Sequence, residues 1–294
     1  HADDIPFPLE SLPNVFTQFR KKVEKYSEVR PTVPEPEQLP AFPSDIENGH
    51  LPSLDELGVA PQPIDERAAI TFKGGTTAGK QRLQDYFWHG DHLRNYKFTR
   101  NGLIGEDYSS KFSAWLANGN LSSRYIYEEV KRYEQERKKN VSTYWLVFEL
   151  LWRDYFRYVA KRYGNQIFQK AGVKGEEKAY RNRQADFAAW MKGETGEPFV
   201  DANMKELLLT GFMSNRGRQN VASYLTKDLH VDWRWGAAWF ESQLIDYDVC
   251  SNWGNWMYVA GVGNDPREDR YFNVRSQAER YDPNGDYQRL WLGE

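Results

Sequence analysis

Ser142-Thr-Tyr-Trp-Leu-Val-Phe-Glu-Leu-Leu-Trp-Arg-Asp-Tyr-Phe-Arg-Tyr158 is too apolar for a surface helix, yet it carries Glu149 and Arg153 in mid-span. At the helical period, Trp145, Glu149, Trp152 and Arg153 fall within roughly 100° of arc, one face. A charge among apolar neighbours is costly unless it is paired. Two readings are open on the pattern alone. Glu149 and Arg153 stand four apart in the order that favours an internal ion pair. Alternatively, this face lines a cavity in which an indole stacks on a planar ring and a carboxylate reads a polar edge.

The same period continues on both sides. From Ile64 onward it is helical nearly everywhere, with short segments opening at Asp65–Ala69 and Thr77–Tyr86, and with Gly105, Gly119, Gly164, Gly172 and Gly196 as punctuation. Strand-like alternation is scarce and no unit of 20–50 residues repeats, so the class is all-α. A helix over 214–228 would put Asn215, Arg218, Gln219 and Ala222 on one face, either an exposed polar stripe or a floor with room for something flat. Residues 242–258 pack Asp246, Asp248, Asn252, Asn255, Trp253 and Trp256 closely. Asp246-x-Asp248 hints at a metal, but no His is near and no ligand spacing results, so no metal is expected. Asp107-Tyr-Ser-Ser-Lys-Phe-Ser113 offers hydroxyls, a lysine and backbone N–H groups to a phosphate, or simply caps a helix. Gly74-Gly-Thr-Thr-Ala-Gly-Lys80 fits most of a P-loop, but Gln81 stands where the Mg²⁺-binding hydroxyl belongs, so it reads as a turn into a helix.

Composition divides the chain. Residues 1–66 carry 11 of the 14 prolines, none of the 11 tryptophans and a net charge of −8. They read as an extended connector with one short helix, Val15–Tyr26, whose Phe16, Phe19 and Val23 share a face. Residues 67–294 carry a net +5, which permits a phosphate-facing surface. The single cysteine, Cys250, excludes an internal disulfide and argues for an intracellular setting, which makes the sequons at Asn120 and Asn140 chance matches. No apolar run suits a membrane span.

In sequence, Tyr96–Arg124, Thr143–Tyr158 and Val200–Trp256 resemble the C-terminal domain of photolyases and cryptochromes, and 96–113 with 142–158 resemble the DASH branch in particular. The resemblance runs from Phe7 to Leu292 and implies a Pro-rich linker followed by an FAD-binding helical domain. It further implies that Tyr96, Ser109, Ser110, Lys111, Phe112 and Ser113 hold the pyrophosphate and sugar region, with Arg153 nearby. Asn215, Arg218, Asp246, Asp248 and Asn252 would surround the isoalloxazine and ribityl portions, with Arg218 and Asp246 paired and Asn252 facing N5, where an amide is a poorer proton source than an acid. The implied activity is light-dependent repair of cyclobutane pyrimidine dimers, preferentially in single-stranded DNA. Trp152 and Tyr258 would sandwich the flipped dimer, Glu149 and Asn215 would read its edges, and Arg100 and Arg216 would contact the strand. Trp256 and Trp233 match two positions of an electron-transfer chain, and Tyr180 stands where the third is usually Trp. Nothing in the chain resembles the family's N-terminal α/β antenna domain, so a folate antenna is expected only with that partner domain. The alternative function is a blue-light photoreceptor with little repair activity.

Overall fold

A computed structural model describes residues 2–60, 63–267 and 270–293; His1, the start of the expected connector, lies outside them. Among the described residues there is no strand. The helices are α1 (Phe16–Tyr26), α2 (Thr76–Gln84), α3 (Tyr96–Thr99), α4 (Ser113–Ala117), α5 (Ser123–Glu136), α6 (Val141–Tyr163), α7 (Gln184–Lys192), α8 (Pro198–Thr210), α9 (Asn215–Ser223), α10 (Trp233–Gln243), α11 (Val249–Ala260), α12 (Val274–Tyr281) and α13 (Asp286–Leu292). None is long and apolar enough to cross a membrane.

The 23-residue α6 is the central strut. It opens with a capping box: the Ser142 and Thr143 N–H groups donate to Asn140 Oδ1 at 2.7 and 3.1 Å, and the Asn140 N–H donates to Thr143 Oγ1 at 3.2 Å. Asn140 is thereby committed to the cap. Leu146 joins one core, built by α2, α3, α5 and their loops around Leu83, Phe87, Ile126 and Tyr133. Tyr155, Phe156 and Val159 join a second, around Leu12, Phe16 and Phe19. A third and largest core, around Trp190, Phe199, Trp233 and Trp256, belongs to the C-terminal helices.

The Pro-rich segment behaves in two ways. Residues 27–60 run extended and largely exposed, tied down where the Thr32 N–H and hydroxyl donate to Glu128 at 2.6 and 2.7 Å. Residues 9–26, by contrast, dock on α6 and bury Leu12, Phe16 and Phe19 almost completely. Asp65–Ala69 makes a turn and no helix: Asp65 accepts from the Arg67 backbone N–H (2.9 Å) and guanidinium, a local alternative to helical bonding. The P-loop-like glycines lead into α2, where Gly75 has φ +91°, no strand precedes, and Lys80 pairs with Glu35 at 3.2 Å. Both α2 and α9 end in wide i→i+5 turns, closed by Gly90 N–H to Asp85 O (2.8 Å) and Leu229 N–H to Tyr224 O (3.0 Å).

Beneath α13 lies a buried acid. Glu206 on α8 is 1% exposed and accepts from the Tyr287 hydroxyl at 2.5 Å. Burial pushes its carboxyl up to about 7, against the opposing pull of the Tyr287 hydrogen bond and the Lys111 charge. With the folded value raised above the ordinary 4.5, its contribution to stability is full below pH 4.5 and is lost as pH rises through about 7. Glu206→Gln therefore gains on the wild type between pH 4.5 and 7. Thermal melts of both chains across that window check this; parallel curves would contradict it.

Candidate functional site

One cavity of about 510 Å³ opens between the cores. Its first wall comes from α3, the loop before α4, and the Glu149–Trp152–Arg153 face of α6. The opposite wall is the polar face of α9 with the 246–258 stretch, whose Asp248 caps α11 by accepting from the Ser251 N–H at 2.8 Å. Tyr96, Ser109–Ser113, Arg153, Asn215, Arg218, Asp246, Asp248 and Asn252 all line it. So do Arg100, Glu149, Trp152, Trp256 and Tyr258. The cavity leaves out Arg216, Trp233 and Tyr180.

Arg218 Nη2 meets both oxygens of Asp246, at 2.8 and 3.0 Å, and its Nε–H donates to Met213 O at 2.9 Å. The Asp246 side chain is 1% exposed, so this is a desolvated pair whose free guanidinium edge faces the cavity. Asn252 donates one amide N–H to Ala237 O at 3.0 Å, and its carbonyl oxygen, an acceptor, remains for a ligand. Gln219 Oε1, also in the lining, is buried without a partner.

On the α6 face the ion pair is not the one that spacing favours. Glu149 pairs with Arg100 at 2.7 Å, across from the end of α3. Arg153 instead donates to Leu116 O at 3.0 Å and lies 3.7 Å from Asp248. Burial raises the Glu149 carboxyl above its ordinary range and the Arg100 charge opposes it. Trp152 is stacked on Phe16 at 3.7 Å and 13°, so the docked α1 backs one indole face. Its contact with Tyr258 is edge-to-face, 5.7 Å and 88°.

Three expectations meet different surroundings. Lys111 turns its ammonium away from the cavity, to Gly105 O (3.1 Å), Glu106 O (2.7 Å) and the face of Tyr108. Arg216 is bound into the fold by Asn101 (3.0 Å), Gln277 (3.3 Å) and the ring of Tyr281, and Arg100 is held by Glu149, so neither cation is free on an open surface. In the aromatic series, Trp256 touches Phe240 and Trp190, while Trp233 touches Trp253 and donates to Lys170 O at 3.2 Å. Tyr180 lies under the same lysine, Nζ to ring centroid 5.9 Å, and its hydroxyl is buried without a partner. Among the described residues no group of His, Cys, Asp and Glu could hold a metal.

Sequence reasoning missed Arg270, which lines the cavity, donates to the Tyr258 hydroxyl at 3.1 Å and is paired with the fully buried Asp265. The run Asn264-Asp-Pro-Arg267 looks like a solvated turn, and nothing local marks either partner.

Residues 145–294 match the family described as the FAD binding domain of DNA photolyase. Over its whole length the chain is 57% identical to a cryptochrome DASH of Synechocystis sp. (strain ATCC 27184 / PCC 6803 / Kazusa), covering 60% of that protein. It superposes on a crystal structure of the Synechocystis sp. PCC6803 cryptochrome with a TM-score of 0.96 at 57% identity, covering 100% of this chain and 61% of that one. A bacterial class III photolyase from Agrobacterium tumefaciens gives 0.83 at 28% identity, covering 96% of this chain and 58% of that one. The chain thus spans about three fifths of the length of such curated relatives.

Proposed function

The chain belongs to the photolyase family of FAD-binding domains, on its cryptochrome DASH branch, and from that premise we propose that it holds FAD and serves light-dependent repair of cyclobutane pyrimidine dimers, preferentially in single-stranded DNA. The observation that carries this reading is one cavity in which Glu149, Trp152, Asn215 and Tyr258 stand together with the Arg218–Asp246 pair.

The donor set suits FAD. The unpartnered Gln219 oxygen, the carbonyl of Asn252 and the guanidinium edge of Arg218 match the alternating donors and acceptors of a flavin edge. The hydroxyls of Ser109, Ser110 and Ser113 and the backbone between them take the pyrophosphate, with Tyr96 and Arg153 beside the sugar region. Bound there, FAD supplies the chemistry: light-driven, reversible transfer of one electron to the dimer.

The protein's part is position and electrostatics. Asn252 is an amide and far too weak an acid to release a proton, so the nitrogen it faces keeps its own protonation state. Glu149 accepts from the dimer's N–H edges and Asn215 bonds the other side. Trp152, backed by Phe16, stacks on the flipped bases, and Tyr258 turns from its edge-on position to close over them. Strand contact by Arg100 and Arg216 requires each to exchange its present partner. Trp256, Trp233 and Tyr180 form the route by which the cofactor is recharged. For the whole protein the proposal includes a partner antenna domain carrying a folate.

The edge-on closure of Trp152 and Tyr258 favours a second reading, a blue-light photoreceptor with little repair, because it leaves no slot for a dimer without movement. Repair of dimer-containing oligonucleotides, single- and double-stranded, lit and dark, separates the two. Light-dependent repair of the single strand is expected. Flavin bands with no repair of either substrate would leave the photoreceptor.

A further inference from the structure

The loop 105–113, which the FAD reading above makes the pyrophosphate cradle, is shaped from behind by a residue outside the cavity. Arg82 on α2 has a side chain only 4% exposed. Its Nε–H donates to Ser110 O at 3.1 Å, and its Nη2 to Ser109 O at 3.2 Å and Glu106 O at 3.1 Å. Its Nη1 donates to the Glu106 and Asp107 carboxylates at 2.9 and 3.0 Å. Those five hydrogen bonds spread the guanidinium over four residues of the loop, Glu106, Asp107, Ser109 and Ser110. Lys111 adds two bonds on the same side, to Gly105 O and Glu106 O.

The carbonyl of one residue and the N–H of the next point opposite ways across a planar peptide. Drawing the Ser109 and Ser110 carbonyls onto Arg82 therefore turns the N–H groups of Ser110 and Lys111 outward. No other described residue accepts from either. Lys111 sits in the left-handed region at φ +55° and Phe112 follows in the right-handed one at −72°, an arrangement of consecutive backbone donors that curves around an anion.

We propose that Arg82 is a positioning residue for the cofactor's pyrophosphate: it never touches the ligand, and it fixes the loop so that backbone N–H groups and serine hydroxyls, rather than a side-chain cation, receive the phosphates. The cation that sequence would assign to them, Lys111, works on the same reverse face. An Arg at position 82 is needed for its fork; a lysine keeps the charge and reaches fewer carbonyls.

The test compares FAD with riboflavin, which shares the ring and ribityl chain and lacks the phosphates. Both are titrated into the flavin-free chain by fluorescence quenching, for wild type, Arg82→Ala and Arg82→Lys, with thermal melts of each flavin-free chain. Arg82→Ala is expected to weaken FAD roughly 10- to 100-fold while leaving riboflavin within about 3-fold of wild type. Arg82→Lys should fall between, and it carries the test if the alanine variant does not fold. Equal losses for FAD and riboflavin would make Arg82 a general structural residue and overturn the inference, as would unchanged FAD affinity in both variants. A wild-type chain that bound neither compound would remove the FAD reading itself, and this inference with it.

Discussion

Arg218→Met is expected to lower the stability of the flavin-free chain by about 3–5 kcal/mol and to remove flavin binding. Asp246 is the reason for the first effect. Its side chain is 1% exposed and both its oxygens rest on Arg218, so the substitution leaves a carboxylate in a dry site with no compensating charge. The Met213 carbonyl loses its donor as well. A second substitution separates fold from function. In Arg218→Met with Asp246→Leu the stranded charge is gone, and buried ion pairs replaced by apolar side chains of similar volume are often neutral or better. The double variant should therefore recover most of the stability and none of the flavin, because the polar edge of the cavity is still missing. Urea midpoints report the first quantity and absorbance of the purified chain the second. A single variant as stable as wild type would mean that Asp246 is rehydrated and the pair is not desolvated as described.

The helical body was legible because its signals are local. The apolar length of α6 and the glycines at 105, 119, 164, 172 and 196, all with positive φ, can be read from neighbouring residues. The polar face of α9 was legible only as a polar stripe that spacing alone assigns to solvent, because the pattern does not say what covers a face; the cavity appears only with packing. What escaped was set by tertiary contacts. Spacing favours Arg153 for Glu149, yet Arg100, just past α3 on the same wall of the cavity, pairs with it, and Leu116 O and Asp248 take Arg153. Lys111 sits among serines in the manner of a phosphate ligand, and its positive φ sends the side chain back onto carbonyls. Arg82 reads as one more cation of a short helix, and Glu206 as one acid of α8; only packing shows each to be buried. The burial of Phe16 and Phe19 was foreshadowed by their shared helix face, but a Pro-rich, Trp-free segment gave no reason to expect Phe16 to back the indole of Trp152.

Glu149→Ala is expected to lower the affinity for a dimer-containing single strand, and with it the repair yield at limiting substrate, by about 10- to 100-fold, while leaving flavin content unchanged. The carboxylate is the one acidic acceptor on the α6 wall of the cavity, and a hydrogen bond to a charged group is worth more than a neutral one. Its removal also leaves Arg100 in the cavity wall without its 2.7 Å partner, a cation that repels nothing on an anionic strand but no longer orients an acceptor. Arg100→Ala should act in the opposite sense on protonation. Burial already raises the Glu149 carboxyl and Arg100 is the largest force holding it down, so without the guanidinium it rises further and the acid limb of the repair profile moves to higher pH. Because the two residues touch, their effects should not add, and the double variant should lose less than the product of the single losses. Glu149→Gln keeps an acceptor on the same stem and should recover part of the yield. Loss of bound flavin in Glu149→Ala would show that the residue holds the fold or the cofactor, and the dimer-reading role would then pass from Glu149 to Asn215 alone.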